Sequence, residues 1–465
     1  MKKKYSFFYL FLFSLSISNV LAQNKANGGA FLFNSEKTVC LTNDQRDAIK
    51  IMLQKNTTKL QIENKLFASI TKNSQQVLFS WPVQQANGFT YNDVWAISNY
   101  VDHNTAFPNQ VTDYNCGTKS YDTPSGYNHQ GVDIYLWPFS WYMVDNNQAE
   151  VIAAQSGQII AKSDGNFDRS CSLNNSQWNS VYVRHSDGST AWYGHMKNGS
   201  LTSKNIGDMV VQGEFLGVVA SSGNSTGPHL HFEVYDNSNN LIDPYSGNCN
   251  NLNSSTWWNS QKPYVDSNIN AVLTHTAPPA FNTCPTTETT NINNDFIIND
   301  AVYFAIYLRD QVANTNVNLK ITRPDNSVFA NWNFTLTANY SSSYWYWWNN
   351  VDATGVWKWE ATYQGQTVVH TFNVAFPLST KDVTFEATVI YPNPFKDIIT
   401  INSKSKIITA TITDLLGKEI LKIRNKVKPI HKIDVSSISN GIYFLTIESH
   451  LHKKKTTKII KKQPK

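Results

Sequence analysis

Apolar positions along the chain follow three successive patterns. Residues 7–20 are a nearly unbroken apolar run behind Lys2-Lys3-Lys4, and Val20-Leu21-Ala22 then gives way to polar residues at Gln23. That layout predicts a secretory signal peptide over residues 1–22, too short to serve as a membrane anchor. In residues 23–75 the apolar positions Ile49, Met52, Leu53 and Leu60 recur at helical spacing behind Thr42 or Asn43, either of which can cap a helix start. From about Phe79 onward the pattern changes to short strands. Residues 151–154, 157–161, 181–185, 190–193, 215–220 and 229–234 read as β runs separated by turns such as Ser163-Asp164-Gly165 and Ser222-Gly223-Asn224. They predict an antiparallel β domain over 76–262.

Residues 263–286 include the Pro/Thr/Asn-rich stretch around Thr276-Ala277-Pro278-Pro279 and are expected to be a linker. A second β block, with runs at 301–308, 317–322, 357–363 and 367–374, predicts an accessory Ig-like β-sandwich over 287–378. A third β module is expected over 387–465. The fold class is therefore mainly β, with a helical N-terminal segment over 23–75 that is a candidate propeptide.

Composition narrows the function classes. Only 16% of the 465 residues are charged and 13% are aromatic, which excludes a disordered chain. The net charge of +5 is uneven: residues 381–465 carry 17 Lys/Arg against 7 Asp/Glu, and residues 1–380 carry 22 against 27. The central region is thus acidic, and the precursor's basic pI excludes nothing and identifies nothing about it. No nucleic-acid partner is expected. After the leader no segment reaches 18 consecutive apolar residues, so no transmembrane segment is expected. Cys40, Cys116, Cys171, Cys249 and Cys284 are widely spaced and form no CxxC, which in an exported chain favours disulfides over a metal cluster. Five is odd, so at least one thiol is free or pairs elsewhere.

The chemistry concentrates in three segments. Asn128-His129-Gln130-Gly131-Val132-Asp133 places His and Asp four apart, and Gly227-Pro228-His229-Leu230-His231-Phe232-Glu233-Val234 places two His at alternate positions. On a strand, His229 and His231 share a face, with Leu230 and Phe232 on the other. His129, Asp133 and one of the paired His make a His₂Asp donor set suited to zinc with an open position. Tyr193-Gly194-His195 ends a strand that can bring His195 to the same cleft. A Lewis acid, acidified water and two free imidazoles are equipment for amide hydrolysis. His103, His185 and His275 have no such partners and are expected to be structural. Six Trp, including Trp345, Trp347 and Trp348, lie in the second β block. They read as sandwich core, with an exposed glycan-stacking row as the alternative.

These residues carry a resemblance. His-x-x-x-Asp, then Tyr-Gly-His, then Gly-Pro-His-Leu-His-Phe-Glu resembles the lysostaphin-like zinc metallopeptidases, peptidase family M23, over roughly residues 79–250. The resemblance implies that His129, Asp133 and His231 bind Zn2+, and that His195 and His229 act as general base and transition-state stabiliser. It implies cleavage of peptide bonds in peptidoglycan stems or cross-bridges, or in Gly-rich proteins. The loop 164–179, with Cys171 and Trp178, is expected to wall the groove. Tyr391-Pro392-Asn393-Pro394-Phe395, Asp414-Leu415-Leu416-Gly417-Lys418, Asn440-Gly441-Ile442-Tyr443 and Lys458-Ile459-Ile460-Lys461-Lys462 resemble a type A C-terminal sorting domain. That implies the type IX secretion machinery as a partner and a secreted or outer-membrane-surface product. The expected function is a secreted zinc metalloendopeptidase. Its alternative is a non-catalytic cell-surface protein that binds peptidoglycan or glycan.

Overall fold

The computed structural model describes residues 25–33, 39–67, 76–172, 176–281, 284, 288–377, 388–425, 427–451 and 453–462. The signal-peptide expectation for residues 1–22 lies outside these. The chain divides into two units, Met1–Ala375 and Phe376–Lys465.

The first unit opens with β1 (Asn27–Ala30) and α1 (Asn43–Ile62). Thr42 caps α1: its hydroxyl accepts from Gln45 N at 3.1 Å, while Gln45 Oε1 accepts from Thr42 N at 2.9 Å. This reciprocal pair satisfies two amides that a helix start leaves orphaned. Arg46, Leu53 and Leu60 are buried along one face of α1, where Leu53 and Leu60 join a cluster with Ile160, Tyr182, Trp192 and Tyr235. Each buried leucine contributes about 1.5–3 kcal/mol.

The next strands are β2 (Val83–Gln85), β3 (Trp95–Asn99) and β4 (Val132–Leu136), with a short helix α2 (Ser140–Asp145) following. Then come β5 (Ala149–Ile152), β6 (Gly157–Ser163), β7 (Ser180–Arg184) and β8 (Thr190–Gly194). The region closes with β9 (Met209–Val210), β10 (Phe215–Val218), β11 (His229–Tyr235) and β12 (Leu241–Ile242). An eight-stranded antiparallel sheet runs β3-β4-β11-β8-β7-β6-β9, with β12 on β11, and β10-β5-β2 form a second sheet. Leu230, Phe232 and Val234 on one face of β11 are fully buried, with Phe232 against Phe79, Tyr193 and Trp258. That apolar anchor fixes the register and so forces the opposite face of β11 to carry the histidines.

Residues 263–286, expected as a linker, contain a buried strand, β13 (Asn268–His275). It pairs with the sandwich strand β15 (Ala301–Gln311), which follows β14 (Asp295–Ile297). Ile269, Ala271, Val272 and Leu273 are buried, and the stretch 268–275 holds no Pro to oppose a strand. The remaining sandwich strands are β16 (Thr315–Thr322), β17 (Val328–Leu336), β18 (Tyr340–Asn350), β19 (Gly355–Tyr363) and β20 (Gln366–Ala375). One sheet runs β1-β18-β15-β13, so the N-terminal strand docks on the sandwich. The other runs β14-β20-β19-β16-β17. Ala271, Leu273, Ala305 and Tyr307 belong to the same core as the site-bearing sheet, and Arg309 bridges Asp93 and Asp266. Shared apolar burial makes the two β blocks one unit. Trp347, Trp357 and Trp359 fill the sandwich core, and Trp348 is 42% exposed, so the aromatic segment is mostly core rather than an exposed row.

Cys116 pairs with Cys249 and Cys171 with Cys284, and Cys40 is free and buried. The second unit holds sheets β21 (Thr388–Tyr391), β22 (Ile398–Ser403), β25 (Lys432–Asp434) and β23 (Ile407–Thr413), β24 (Glu419–Arg424), β26 (Gly441–Ser449), β27 (Lys454–Lys461) around its own apolar core.

Candidate metal centre

The register of three neighbouring strands builds the site. His231 on β11 stands opposite Asp133 on β4 and opposite Gly194 on β8. His129 lies just before β4 and His195 just after β8, and His229 stands two residues before His231 on the same strand, so one face of the sheet gathers His129, Asp133, His195, His229 and His231. Every predicted site residue is brought together. His129, His195 and His231 are fully buried, Asp133 is 4% exposed and His229 8%.

Each imidazole has one nitrogen tied outward and the other facing the centre. His129 Nδ1 donates to Tyr100 O at 2.8 Å, His195 Nδ1 to Ser222 O at 2.6 Å, and His229 Nδ1 to Gly227 O at 2.8 Å. His231 Nε2 donates to Glu233 Oε2 at 2.9 Å. These tautomers are assigned from their partners. They leave His129 Nε2 as a bare lone pair, whereas His231, despite its burial, is held well above the ordinary imidazole range with Asp133 and Glu233 on its two nitrogens. His129 Nε2 stands 3.0 Å from Asp133 Oδ2, and His231 Nδ1 stands 2.8 Å from Asp133 Oδ1. His129 Nε2 is buried and makes no hydrogen bond. His129 Nε2 and Asp133 Oδ2 thus confront each other as acceptors in a dry site, an arrangement that a cation relieves. The ligand atoms of His129, Asp133 and His231 lie within 4.8 Å of one another, and two imidazoles with one carboxylate suit zinc. The residues present fit the metal.

The two other imidazoles, His195 and His229, lie with ring centroids 4.4 Å apart and their planes tilted by 46°. Burial, together with His229 and His231, pushes His195 well below the ordinary imidazole range. Burial also lowers His229, partly offset by Asp133. Both are therefore neutral near pH 7, as a proton acceptor must be. Burial raises Asp133, but His129 and His229 outweigh it and hold the carboxyl well below its usual range. His195 itself takes a left-handed backbone, φ 62°, a conformation that costs on the order of 1 kcal/mol for a residue with a Cβ. Its carbonyl accepts from Ala220 N at 3.1 Å, which locks the ring toward the centre.

Sequence reasoning missed several supporting groups. Glu233 continues the alternation of His229 and His231, so period two alone places it on their face. It is fully buried and pairs with Arg46 of α1 through Nε at 3.0 Å and Nη2 at 3.1 Å. Asn99 Nδ2 donates to Asp133 Oδ2 at 3.0 Å, a contact with no sequence signal. Gly131 has a packing reason: a Cβ there would sit 2.5 Å from the His231 ring. The predicted wall residue Trp178 packs on His195 and His231, with centroids at 5.1 and 5.6 Å.

Described residues of the N-terminal segment reach this centre at two places. Phe33 stacks on Tyr135 at 4.3 Å and meets the edge of His229 at 6.1 Å. Cys40 Sγ lies 3.0 Å from His195 Nε2, and α1 is pinned by the Arg46–Glu233 pair.

Residues 128–244 match the family model described as peptidase family M23, and residues 389–462 match that of the secretion system C-terminal sorting domain. The chain carries a peptidase family M23 domain. All five centre residues fall inside the M23 match. Among curated relatives, the peptidoglycan DD-endopeptidase ShyC of Vibrio cholerae is 31% identical over 102 residues, 22% of this chain and 23% of its own length. The DD-carboxypeptidase/endopeptidase Mpg of Neisseria meningitidis is 41% identical over 56 residues, 12% of each chain. The chain thus spans a quarter or less of the length of these relatives. Among solved structures, the catalytic domain of lysostaphin from Staphylococcus simulans aligns at 27% identity, covering 27% of this chain and 83% of that one, with TM-score 0.20. A zinc-containing peptidase from Vibrio cholerae aligns at 20% identity, 36% and 39% coverage and TM-score 0.23. No helix among the described residues is long and apolar enough to cross a membrane.

Proposed function

We propose that the protein is a secreted zinc-dependent metalloendopeptidase that hydrolyses peptide bonds in peptidoglycan stems or cross-bridges, or in Gly-rich proteins. The observation that carries this reading is the set of donors at His129, Asp133 and His231, each held by an outer partner and aimed at one point. The peptidoglycan endopeptidase names of the curated relatives support the substrate class. Zinc bound to these three residues supplies a Lewis acid and acidifies water at the site. His195 accepts a proton at Nε2, since Nδ1 is committed to Ser222 O. With Nδ1 committed to Gly227 O, His229 Nε2, 3.6 Å from Asp133 Oδ1, faces the same point as a second proton acceptor and donates to a developing oxyanion only once protonated. The sorting domain and the leader together support export through the type IX machinery to the surface or the medium.

The test couples metal and products. Zinc stoichiometry is measured for wild type, His129→Ala and His231→Ala. Products from purified peptidoglycan and a pentaglycine peptide are read by mass spectrometry, with the full chain before and after limited proteolysis. One zinc per chain, lost in both variants, with new peptide ends from either substrate, is expected. Variants that keep wild-type zinc refute the site, and zinc-bound protein that cuts neither substrate in either form favours the binding-only alternative.

A further inference from the structure

The one cysteine free of disulfides sits at the centre of the buried histidines, and nothing in the peptidase reading uses it. Cys40 Sγ and the ring nitrogens of His195 and His231 lie within 4.8 Å of one another, and His231 also belongs to the His129, Asp133, His231 set. The thiol thus adjoins His231, the residue that the two sets share. Catalytic zinc sites keep one position open, whereas structural sites are closed by a fourth protein ligand, often a cysteine.

We propose that Cys40 is a removable fourth ligand that closes the metal site and holds the full-length chain latent. Resting on the zinc reading of the centre, this assigns a role to the N-terminal segment that reaches it. On ligation the S–H bond is replaced by a sulfur–metal bond, and the proton leaves by way of His195 Nε2, 3.0 Å away. Sulfur in that position excludes water and a substrate carbonyl from the metal, and occupies the nitrogen on which His195 would accept a proton.

Three anchors hold the thiol there. Upstream, β1 pairs with β18 and Phe31 stacks on Trp137 at 4.4 Å. Phe33 lies against His229. Downstream, α1 is tied by Arg46 to Glu233, the same carboxylate that orients His231. The segment therefore touches His195 and His229, two of the residues that work in the cleft, and the sulfur–metal bond is what keeps water and substrate from the metal.

The experiment is cobalt substitution of the full chain in wild type, Cys40→Ala and the near-isosteric Cys40→Ser. Wild type is expected to show a near-ultraviolet thiolate-to-cobalt charge-transfer band that both variants lack, while all three bind one ion. Alkylation of the single free thiol is expected to speed up at least tenfold when a chelator strips the metal. Peptidoglycan cleavage is expected to rise at least tenfold in Cys40→Ala over wild type. Superimposable cobalt spectra in the three proteins, or alkylation indifferent to metal, overturns the Cys40 inference and leaves the peptidase reading standing. Failure of wild type to bind any ion overturns both.

Discussion

Replacing Arg46 by Met tests whether α1 is held on the site by one buried ion pair. The Arg46 and Glu233 side chains are 5% and 0% exposed, and two of the guanidinium's nitrogens meet the two carboxylate oxygens at 3.0 and 3.1 Å. Removing one partner of such a pair costs about 3–5 kcal/mol, because the other is left charged and buried. Here Glu233 keeps two donors, His231 Nε2–H and the Tyr235 hydroxyl, and Met retains the apolar stem of Arg46. The low end applies, about 3 kcal/mol, or roughly a hundredfold shift toward undocked α1. Native-state hydrogen exchange reads this directly at the amides of α1. Arg46→Met should lower α1 protection by that amount while leaving β15 and β18 unchanged. Glu233→Gln and the double variant complete a cycle, whose coupling should exceed about 1 kcal/mol. A loss confined to less than about 0.5 kcal/mol, or spread evenly over the whole first unit, refutes the reasoning.

Gly131→Ala should push the His231 ring out of line with Asp133, lowering zinc affinity at least tenfold in a competition titration with little change in the far-ultraviolet spectrum; unchanged affinity would show that the ring has room to move. His275 tests burial through pH. It is fully buried, donates from Nδ1 to Thr290 O and accepts at Nε2 from the Tyr307 hydroxyl, and burial brings it down to about 4. The unfolded chain therefore binds the extra proton first, so this contribution is complete above about pH 6.5 and is lost as pH falls toward 4, about 3 kcal/mol in all. Glu288, raised by burial to about 7, contributes the opposite slope between about 4.5 and 7. The difference between the urea-unfolding curves of wild type and His275→Gln cancels it. That difference should shrink steadily from pH 6.5 to 4, and a difference constant with pH contradicts a buried neutral imidazole.

Much of the site was legible because strand geometry is local. The alternation of His229 and His231 around buried Leu230 and Phe232 follows from period two, and the same rule, extended one step, reaches Glu233. The α1 cap at Thr42 was equally readable, since both its hydrogen bonds span three residues. The strand at Asn268–His275 was not, because the Pro-rich stretch just after it dominated the local composition, and its partner β15 lies some thirty residues on.

What the sequence determined by itself is the set of donors and the strands that carry them, because both rest on residue type and near-neighbour spacing. Which donors meet is a matter of register between strands distant in the chain: Asp133, His231 and Gly194 fall in line only when β4, β11 and β8 pair as they do. Tertiary structure alone also decided which of five cysteines stays unpaired and where it goes. Cys116–Cys249 and Cys171–Cys284 join residues 133 and 113 apart, a distance over which spacing carries no information. The remaining thiol is delivered to the histidines by a segment anchored at both ends, through β1 on the sandwich and Arg46 on Glu233. No local pattern records that placement, since it depends on long-range burial.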